Sequence, residues 1–228
     1  MGAQALTQEV RPAFYALDRG GWRVYVTLLH PPYTLWHLSY VAVGAALAPR
    51  FHVDRLLWGL AAFFLALGVA AHALDELKGR PLRTRIPAWV LVAATVASLA
   101  GACAIGVAAA SAWGWWLLVF VLAGAVLVPA YNLELALHTD WGFALAWGAF
   151  PALTGYFVEA QTLRIEAVAA AFYAFWLSLA QRTLSTPVRR SRREGGTTAG
   201  VEPLERALKL LTWAAVALAV ALVAARLR

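Results

Sequence analysis

The residues best suited to chemistry lie in one stretch, from His72 to Arg85. His72 and Asp75 are three residues apart, so on a helix their side chains point to the same side, and Glu76 adds a second carboxylate. Four basic residues follow: Lys78, Arg80, Arg83 and Arg85. Imidazole and carboxylate groups bind metal ions, and ammonium and guanidinium groups bind phosphates. The stretch therefore predicts a site for a metal ion, a diphosphate or a polar headgroup.

A second group of polar residues is expected at the same end of the molecule. His37 lies about one turn into the first long apolar segment, and Glu134 and His138 are four residues apart in the connection between two later segments. Together these residues form a candidate metal site: His37, His72, Asp75, Glu134 and His138. Imidazole with carboxylate suits zinc or iron, whereas carboxylates alone suit magnesium. In the alternative interpretation, each histidine is hydrogen-bonded to the backbone or to lipid headgroups.

The elements that must position these residues are strongly apolar. Of the 228 residues, 62% are hydrophobic and 14% are charged, whereas about a quarter of the residues in a soluble domain are charged. The mean hydropathy is +0.66. This composition predicts an all-α integral membrane protein. The net charge of +7 comes from basic residues at the ends of apolar runs, a pattern that indicates contact with membrane lipids rather than with nucleic acid.

Seven segments approach the roughly 20 apolar residues that a membrane-spanning helix needs. They cover residues 33–49, 54–74, 87–110, 113–130, 141–158, 165–184 and 204–225. Residues 1–30 mix polar and aromatic side chains and predict a lead-in that lies at the membrane interface. Residues 188–203 are basic and contain few apolar side chains, which predicts a mobile cytoplasmic loop. The chain is thus expected to form a single transmembrane helical domain.

The distribution of lysine and arginine predicts the orientation. With the N-terminus in the cytoplasm, 14 of the 19 Lys and Arg residues lie on the cytoplasmic side. The other side holds Arg50, Arg55, Arg164, Arg226 and Arg228. Because cytoplasmic loops carry an excess of basic residues, we expect the N-terminus inside, the C-terminus outside and the polar site at the cytoplasmic face. The expected location is a prokaryotic inner membrane.

Several short motifs are spread between residues 32 and 188. The first apolar segment opens with Pro32-Tyr33-Thr34-Leu35 and continues to Gly44-Ala45-Ala46, and Arg80-Pro81-Leu82 follows the second segment. Tyr131 ends the fourth segment, and Arg182-Thr183-Leu184 is followed by Pro187-Val188. In these motifs the chain resembles the UbiA superfamily of intramembrane prenyltransferases.

The end of the second segment both carries this resemblance and departs from it. In the family this helix ends in N-D-x-x-D-x-x-x-D, and Asp75 matches the middle aspartate. Ala71 and His72 stand in the preceding Asn-Asp positions, and Gly79 stands in the last aspartate position. The family's second aspartate motif, which precedes the segment matched by Arg182, lacks its acids here. The chain therefore resembles a divergent member that keeps one acid of the motif.

The resemblance implies a UbiA-like helical bundle that binds an isoprenyl diphosphate through Mg²⁺ and transfers the isoprenyl group to an aromatic or lipid acceptor. On this hypothesis Asp75, Glu76 and Glu134 hold a reduced magnesium site, and Asp75, Glu76 and His72 are catalytic. The residues expected to bind the substrate are Lys78, Arg80, Arg83, Arg85, Arg182, Tyr131 and Asn132. Two alternatives stay open: a zinc or iron enzyme that acts on a lipid, and a non-catalytic lipid- or quinone-binding membrane protein.

Overall fold

The computed structural model describes residues 11–17, 20–135, 137–194 and 200–228. Within these residues all regular secondary structure is helical, as the composition predicts. The helices are α1 (Arg23–Leu28), α2 (Pro31–Leu47), α3 (Val53–Gly79), α4 (Ala88–Trp113), α5 (Leu117–Asn132), α6 (140–160), α7 (Ile165–Arg193) and α8 (Glu202–Arg226). Each predicted apolar segment corresponds to one of the long helices α2 to α8.

In the described part of the chain, three helices are long and apolar enough to cross a membrane: α3, α4 and α8. Helix α5 is also apolar but shorter. Large apolar side chains on these helices are exposed, among them Trp89, Val96, Leu122 and Val220. A helix that is hydrophobic on all sides either lies in a protein core or crosses a membrane. The three helices are therefore compatible with an integral membrane protein whose outer surface contacts lipid.

The long helices run alternately in opposite directions, so the bundle has two distinct ends. Lys78, at the end of α3, contacts Glu134, which follows α5, at 2.8 Å. These residues mark one end, which we call the polar end. At the opposite end, His52, just before α3, contacts Glu159, near the end of α6, at 3.0 Å. The start of α2 lies at the polar end, and the end of α8 lies at the opposite end.

Helix α2 forms the centre of the bundle and packs against α6 and α8. Trp36 and Tyr40 are fully buried on it, and Trp36 Nε1 donates to the Tyr40 hydroxyl at 2.5 Å. Helices α2 and α6 approach closely where each has a glycine. A Cβ on Gly44 would collide with the carbonyl of Ala152, and one on Gly155 would collide with the backbone of α2. Small residues allow this kind of close helix packing in membranes.

Two of the long helices are widened in the middle. Helix α3 is π-helical over Phe64–Ala71, and α6 is π-helical over Leu145–Ala149. A π-helical turn holds extra residues, which changes the direction of the side chains that follow it, and such turns are frequent at functional sites. The widened part of α3 comes just before His72 and Asp75, and that of α6 includes Trp147.

The predicted lead-in packs against the bundle where the structure describes it. The ring of Phe14 lies edge-on to Tyr33 of α2, with ring centroids 6.2 Å apart. Arg192 of α7 donates to the carbonyl of Arg11 at 2.8 Å. These contacts join the described part of the lead-in to α2 and α7, and its position at the membrane interface stays a prediction. Residues 1–10, 18 and 19 lie outside the described residues.

The predicted loop at 188–203 begins instead as helix, because α7 continues to Arg193. Val188 is buried in the core of the bundle. Arg192 is also buried and forms an ion pair with Glu205 of α8 at 2.6 Å. Buried contacts to α2 and α8 therefore hold the last turns of α7, although the composition predicted mobility. The middle of the predicted loop lies outside the described residues.

Candidate functional site

Polar side chains gather at the polar end, between α2, α3, α5, α7 and the segment that precedes α1. We call this group the polar cluster; it comprises Tyr15, His30, Tyr33, His72, Asp75, Tyr131, Arg182 and Arg189. Most of these side chains are partly exposed, and Arg189 is exposed. The cluster is therefore open to solvent on one side. Four of its members were predicted as site residues: His72, Asp75, Tyr131 and Arg182.

His30 combines an uncommon backbone conformation with close ring contacts. Its φ of +45° is left-handed, a conformation that costs a residue other than glycine about 1–2 kcal/mol. Pro31 follows and begins α2, a position where its missing N–H is not needed. The His30 ring stacks on His72 with centroids 4.1 Å apart. Its Nδ1 lies 2.7 Å from the Tyr15 hydroxyl.

The environment of His30 keeps its ring neutral near pH 7. Burial lowers the pKa of His30 well below its usual range, and the nearby side chains of His72 and Arg189 lower it further. The His30 Nε2 atom is buried and has no hydrogen-bond partner among the described residues. Because a buried polar atom without a partner is destabilising, this nitrogen can gain a hydrogen bond from a ligand or an ordered water.

Asp75 and two arginines supply the charges of the polar cluster. The Asp75 carboxylate interacts electrostatically with Arg189 and Arg182, but no group in the described part of the chain hydrogen-bonds to it. Arg182 Nε donates to Asp140 at 3.0 Å, at the exposed rim. Arg189 makes no hydrogen bond within the described residues. Asp75 and Arg189 therefore keep their full capacity to bind a polar ligand.

Tyr131 connects the polar cluster to the interior of the bundle. Its hydroxyl is buried, has no hydrogen-bond partner among the residues described, and interacts electrostatically with Arg182 and Arg189. Its ring packs edge-on against Trp147, with centroids 5.5 Å apart. His37 holds the backbone there: since a carbonyl only accepts, His37 Nδ1 donates to the Trp147 carbonyl at 2.7 Å.

An apolar cavity of about 100 Å³ adjoins Trp147 within the bundle. Helices α3, α4, α5 and α6 line this cavity, which is open on one side, and both π-helical segments contribute to its wall. The wall is apolar apart from Thr154 and includes several aromatic rings: Trp58, Phe63, Trp113, Phe120 and Phe150. Cavities of about 150 Å³ accommodate benzene, so this space suits a small apolar group. Trp147 thus lies between the apolar cavity and the polar cluster.

Glu76 does not belong to the polar cluster, although it follows Asp75 directly. It is fully buried, and its Oε2 accepts from the Leu82 N–H at 3.0 Å. Its Oε1 accepts from the N–H and the hydroxyl of Thr84, both at 2.8 Å. Consecutive residues on a helix point about 100° apart, so the two carboxylates diverge. Glu76 holds the connection between α3 and α4, which leaves its oxygens unavailable to a ligand.

Lys78 and Glu134 pair with each other beside the polar cluster. Lys78 Nζ donates to Glu134 at 2.8 Å and to the carbonyl of Leu133 at 2.8 Å. The hydrogen bond from Lys78 lowers the pKa of the Glu134 carboxyl. Both side chains are exposed on the surface of the polar end. The structure therefore brings together a predicted substrate ligand and a predicted metal ligand as a surface ion pair.

The three arginines after α3 also lie apart from the polar cluster. Arg80 donates to the carbonyl of Ile86 at 2.7 Å and so stabilises the connection to α4. Arg83 is exposed and donates to the carbonyl of Arg193 at 3.2 Å. Arg85 is exposed and has no hydrogen bond within the described residues. None of the three contacts the polar cluster in the part of the chain that the structure describes.

Asn132 and His138 support the neighbourhood of Tyr131. Asn132 is buried, and its Nδ2 donates to the carbonyl of Val128 at 2.7 Å, which closes the last turn of α5. His138 Nδ1 donates to the Tyr131 carbonyl at 3.1 Å. The rings of His138 and Tyr131 lie 4.8 Å apart. His138 therefore positions Tyr131, whereas Asn132 is hydrogen-bonded within its own helix.

The candidate metal ligands do not converge on one point. Three of them donate from Nδ1 to a backbone carbonyl: His37, His72 and His138. Among the described residues, no three His, Cys, Asp or Glu side chains are arranged to hold a metal ion. The predicted magnesium site needs three carboxylates, and with Glu76 and Glu134 otherwise paired only Asp75 is left. The described residues therefore do not assemble the predicted magnesium site of three carboxylates.

Four members of the polar cluster were not predicted as site residues: Tyr15, His30, Tyr33 and Arg189. A signal existed for Arg189, which lies seven residues after Arg182 and so shares its helix face. Proline usually interrupts helices, and Pro187 therefore suggested that the helix ends before Arg189. No sequence spacing indicates that Tyr15 and His30 meet His72, because that contact depends on the path of the chain before α2.

The chain matches no protein-family model, no curated protein and no solved structure. What supports a function is therefore the arrangement of the polar cluster and the apolar cavity.

Proposed function

We propose that the protein is a UbiA-like intramembrane prenyltransferase that binds an isoprenyl diphosphate and transfers its isoprenyl group to an aromatic or lipid acceptor. The observation that carries this proposal is the placement of the polar cluster and the apolar cavity on either side of Trp147. A substrate with an anionic head and an apolar chain needs these two environments side by side. The bundle would cross a prokaryotic inner membrane seven times, with the polar end facing the cytoplasm.

The polar cluster suits the head of such a substrate. Guanidinium groups bind phosphate oxygens in a fork-like geometry, and Arg182 and Arg189 both belong to the cluster. The Tyr131 hydroxyl and His30 Nε2 are buried without partners among the described residues, so each gains a hydrogen bond when the head binds. Fixed charges and donors of this kind stabilise the negative charge that grows on a departing diphosphate.

The apolar cavity suits the reacting part of the isoprenyl chain. In the transfer, the C–O bond to the diphosphate breaks, its electron pair leaves with the diphosphate, and an allylic cation remains. Aromatic ring faces attract cations, and Trp147, Phe63 and Phe150 line the cavity. A nucleophilic atom of the acceptor then bonds to the cation and the acceptor releases a proton. The Asp75 carboxylate can accept this proton, because it has no hydrogen-bond partner among the described residues.

The test is product formation by the full-length protein in lipid nanodiscs. Farnesyl and geranylgeranyl diphosphate are supplied with a lipid extract as the source of acceptors, and released diphosphate and prenylated products are measured. We expect release that depends on the protein. Asp75→Asn should reduce the rate about 100-fold or more and leave Tm within about 2 °C, because Asp75 makes no hydrogen bond in the described part of the chain.

The matched control is Asp54→Asn, which changes an exposed aspartate on the same helix at the opposite end and should keep the wild-type rate. If the wild type neither binds the isoprenyl diphosphates nor releases diphosphate from them, the proposal is overturned. Binding without release would support the non-catalytic lipid-binding alternative. Stoichiometric zinc or iron that disappears in His72→Ala would support the metalloenzyme alternative.

A further inference from the structure

We infer that the polar cluster binds the diphosphate head directly through Arg189 and Arg182, without a magnesium ion held by the protein. This inference rests on the proposed function and specifies how the head of the substrate is recognised. It concerns the equilibrium binding of the head, which can be measured apart from turnover.

Few carboxylates near the polar cluster are free to hold a metal ion. Magnesium in phosphate sites is usually held by one or two carboxylates together with phosphate and water oxygens. Three acids near the polar cluster already have partners within the chain: Glu76, Glu134 and Asp140. Asp75 is the one carboxylate among the residues of the polar cluster. It could share a magnesium ion only with oxygens that the substrate brings, so the described residues offer no preformed metal site.

The two guanidinium groups of the polar cluster are arranged to bind one anion. Arg182 and Arg189 lie seven residues apart on α7, which is almost two full turns, so they project from the same face. Their like charges repel each other, and Arg189 makes no hydrogen bond within the described residues. An anion that bridges the two groups would remove this repulsion. Bidentate recognition of phosphate is the role for which arginine is best suited.

Tyr131 independently favours an anion at the same place. Its hydroxyl is buried and unpartnered among the described residues, and it lies within electrostatic reach of both arginines. Buried hydroxyls almost always have a hydrogen-bond partner. A diphosphate oxygen between the arginines would supply the acceptor that this hydroxyl lacks. Two charged donors and one neutral donor would then surround the head.

The experiment measures the binding of farnesyl diphosphate to the full-length protein in nanodiscs by calorimetry. One series contains excess EDTA and a second contains excess Mg²⁺. Inorganic pyrophosphate and farnesol are titrated in parallel, to separate the contribution of the head from that of the chain. We expect farnesyl diphosphate to bind with comparable affinity in both series. Pyrophosphate and farnesol should each bind more weakly than farnesyl diphosphate, because the first lacks the chain and the second lacks the diphosphate.

The matched variants are neighbours on α7. Arg189→Gln should weaken binding in EDTA about tenfold or more, because it removes a charged donor from the cluster. Arg190→Gln removes the same charge from a side chain that is 79% exposed and pairs with Glu194 at 3.0 Å, and it should bind as the wild type does. Tyr131→Phe should weaken binding to a smaller extent, since it removes one neutral donor.

The possible results separate this inference from the proposed function. Binding that requires Mg²⁺ would overturn the inference and leave the prenyltransferase proposal in place. Equal weakening by Arg189→Gln and Arg190→Gln would also overturn it, since the effect would then be one of overall charge. No binding of farnesyl diphosphate in either series would overturn both proposals.

Discussion

At the scale of single residues, adjacent side chains have divergent roles at the end of α3. The Asp75 carboxylate faces the polar cluster and has no hydrogen-bond partner among the described residues. Glu76 is fully buried and accepts three hydrogen bonds from Leu82 and Thr84. Asp75 is therefore available for ligand binding, whereas Glu76 stabilises the fold, although the two acids are adjacent in the sequence.

Glu76→Ala should destabilise the protein rather than affect the site alone. The substitution leaves the N–H groups of Leu82 and Thr84 and one hydroxyl without their acceptor, so we expect the free energy of unfolding to fall by about 2–4 kcal/mol. Thermal unfolding in detergent measures the change. Glu134→Ala, which breaks an exposed ion pair, is the control and should change Tm little. Equal Tm values for Glu76→Ala and the wild type would contradict this assignment.

His30 makes stability depend on pH. Its pKa is lowered in the folded protein from the ordinary value of 6.5, so the unfolded chain takes up a proton first as pH falls. The stabilisation is complete above about pH 6.5 and is lost below it, by up to about 1.4 kcal/mol per pH unit. We expect Tm to fall between pH 7 and pH 5. His30→Asn cannot titrate and tolerates a left-handed backbone.

The pH series is measured on both proteins in the same detergent. His30→Asn should show a lower Tm at pH 7, because it loses the stacking on His72 and the hydrogen bond with Tyr15. Its Tm should also fall less steeply between pH 7 and pH 5. Parallel curves for the two proteins would show that His30 does not titrate as its burial implies.

At the scale of helices, the length of α7 decides the composition of the polar cluster. A helix that ended before Pro187 would leave Arg189 in solvent. Instead α7 continues to Arg193, and the ion pair between Arg192 and Glu205 joins its last turn to α8. Removing one partner of a buried ion pair strongly destabilises a protein, because the other charge is left buried and unpaired. The contact with α8 therefore holds Arg189 in register with Arg182.

The crossing of α2 and α6 relies on glycines that let the two backbones approach closely. Gly44→Ala would place a methyl group against the carbonyl of Ala152 and 3.0 Å from the Tyr156 nitrogen. We expect a loss of about 1–3 kcal/mol or more in the free energy of unfolding, because a rigid backbone must move. Gly59→Ala meets only Val41 Cγ1 at 3.5 Å.

Gly59→Ala is the matched control for this crossing. It adds the same methyl group to a helix where space exists, and replacing glycine by alanine in a helix stabilises by about 0.5–1 kcal/mol. Its Tm should equal or exceed that of the wild type. A Tm for Gly44→Ala as high as that of Gly59→Ala would mean that α2 and α6 do not pack as closely as described.

At the scale of the whole molecule, the two ends of the bundle differ in charge and in chemistry. The polar end holds the polar cluster, and the predicted topology assigns 14 of the 19 Lys and Arg residues to the same side. The opposite end holds a smaller group in which Glu159 is buried and accepts from the backbone and the ring of His52. Because basic residues stay in the cytoplasm, this asymmetry favours a cytoplasmic site.

The proposed orientation can be tested by cysteine labelling. Cys103 is the one cysteine of the chain, so Cys103→Ala provides a background without thiols. Into it we place Arg85→Cys at the polar end or Arg164→Cys at the opposite end, both exposed positions. A maleimide that cannot cross membranes should label Arg164→Cys in intact bacterial cells and Arg85→Cys only after permeabilisation. The reverse pattern would overturn the orientation.

Local information in the sequence determined the helices and the end at which polar residues gather. Apolar runs and their lengths predicted segments that correspond to α2 to α8, because the burial of apolar side chains and backbone hydrogen bonding within a helix are properties of a short stretch. The same reasoning brought His72, Asp75, Tyr131 and Arg182 to one end, since alternating helices place their termini there. Whether the helices cross a membrane seven times stays a prediction.

The tertiary structure decided which of these residues are free to act. Glu76 and Asp75 look equivalent in sequence, and only the path of the chain to Leu82 and Thr84 shows that Glu76 is bound. Likewise, Lys78 pairs with Glu134 because α3 and α5 end side by side. Such pairings depend on the packing of helices that are distant in sequence. Spacing along the chain carries no information about such pairings. The sequence could therefore name a candidate site, but not which of its side chains lack partners within the protein.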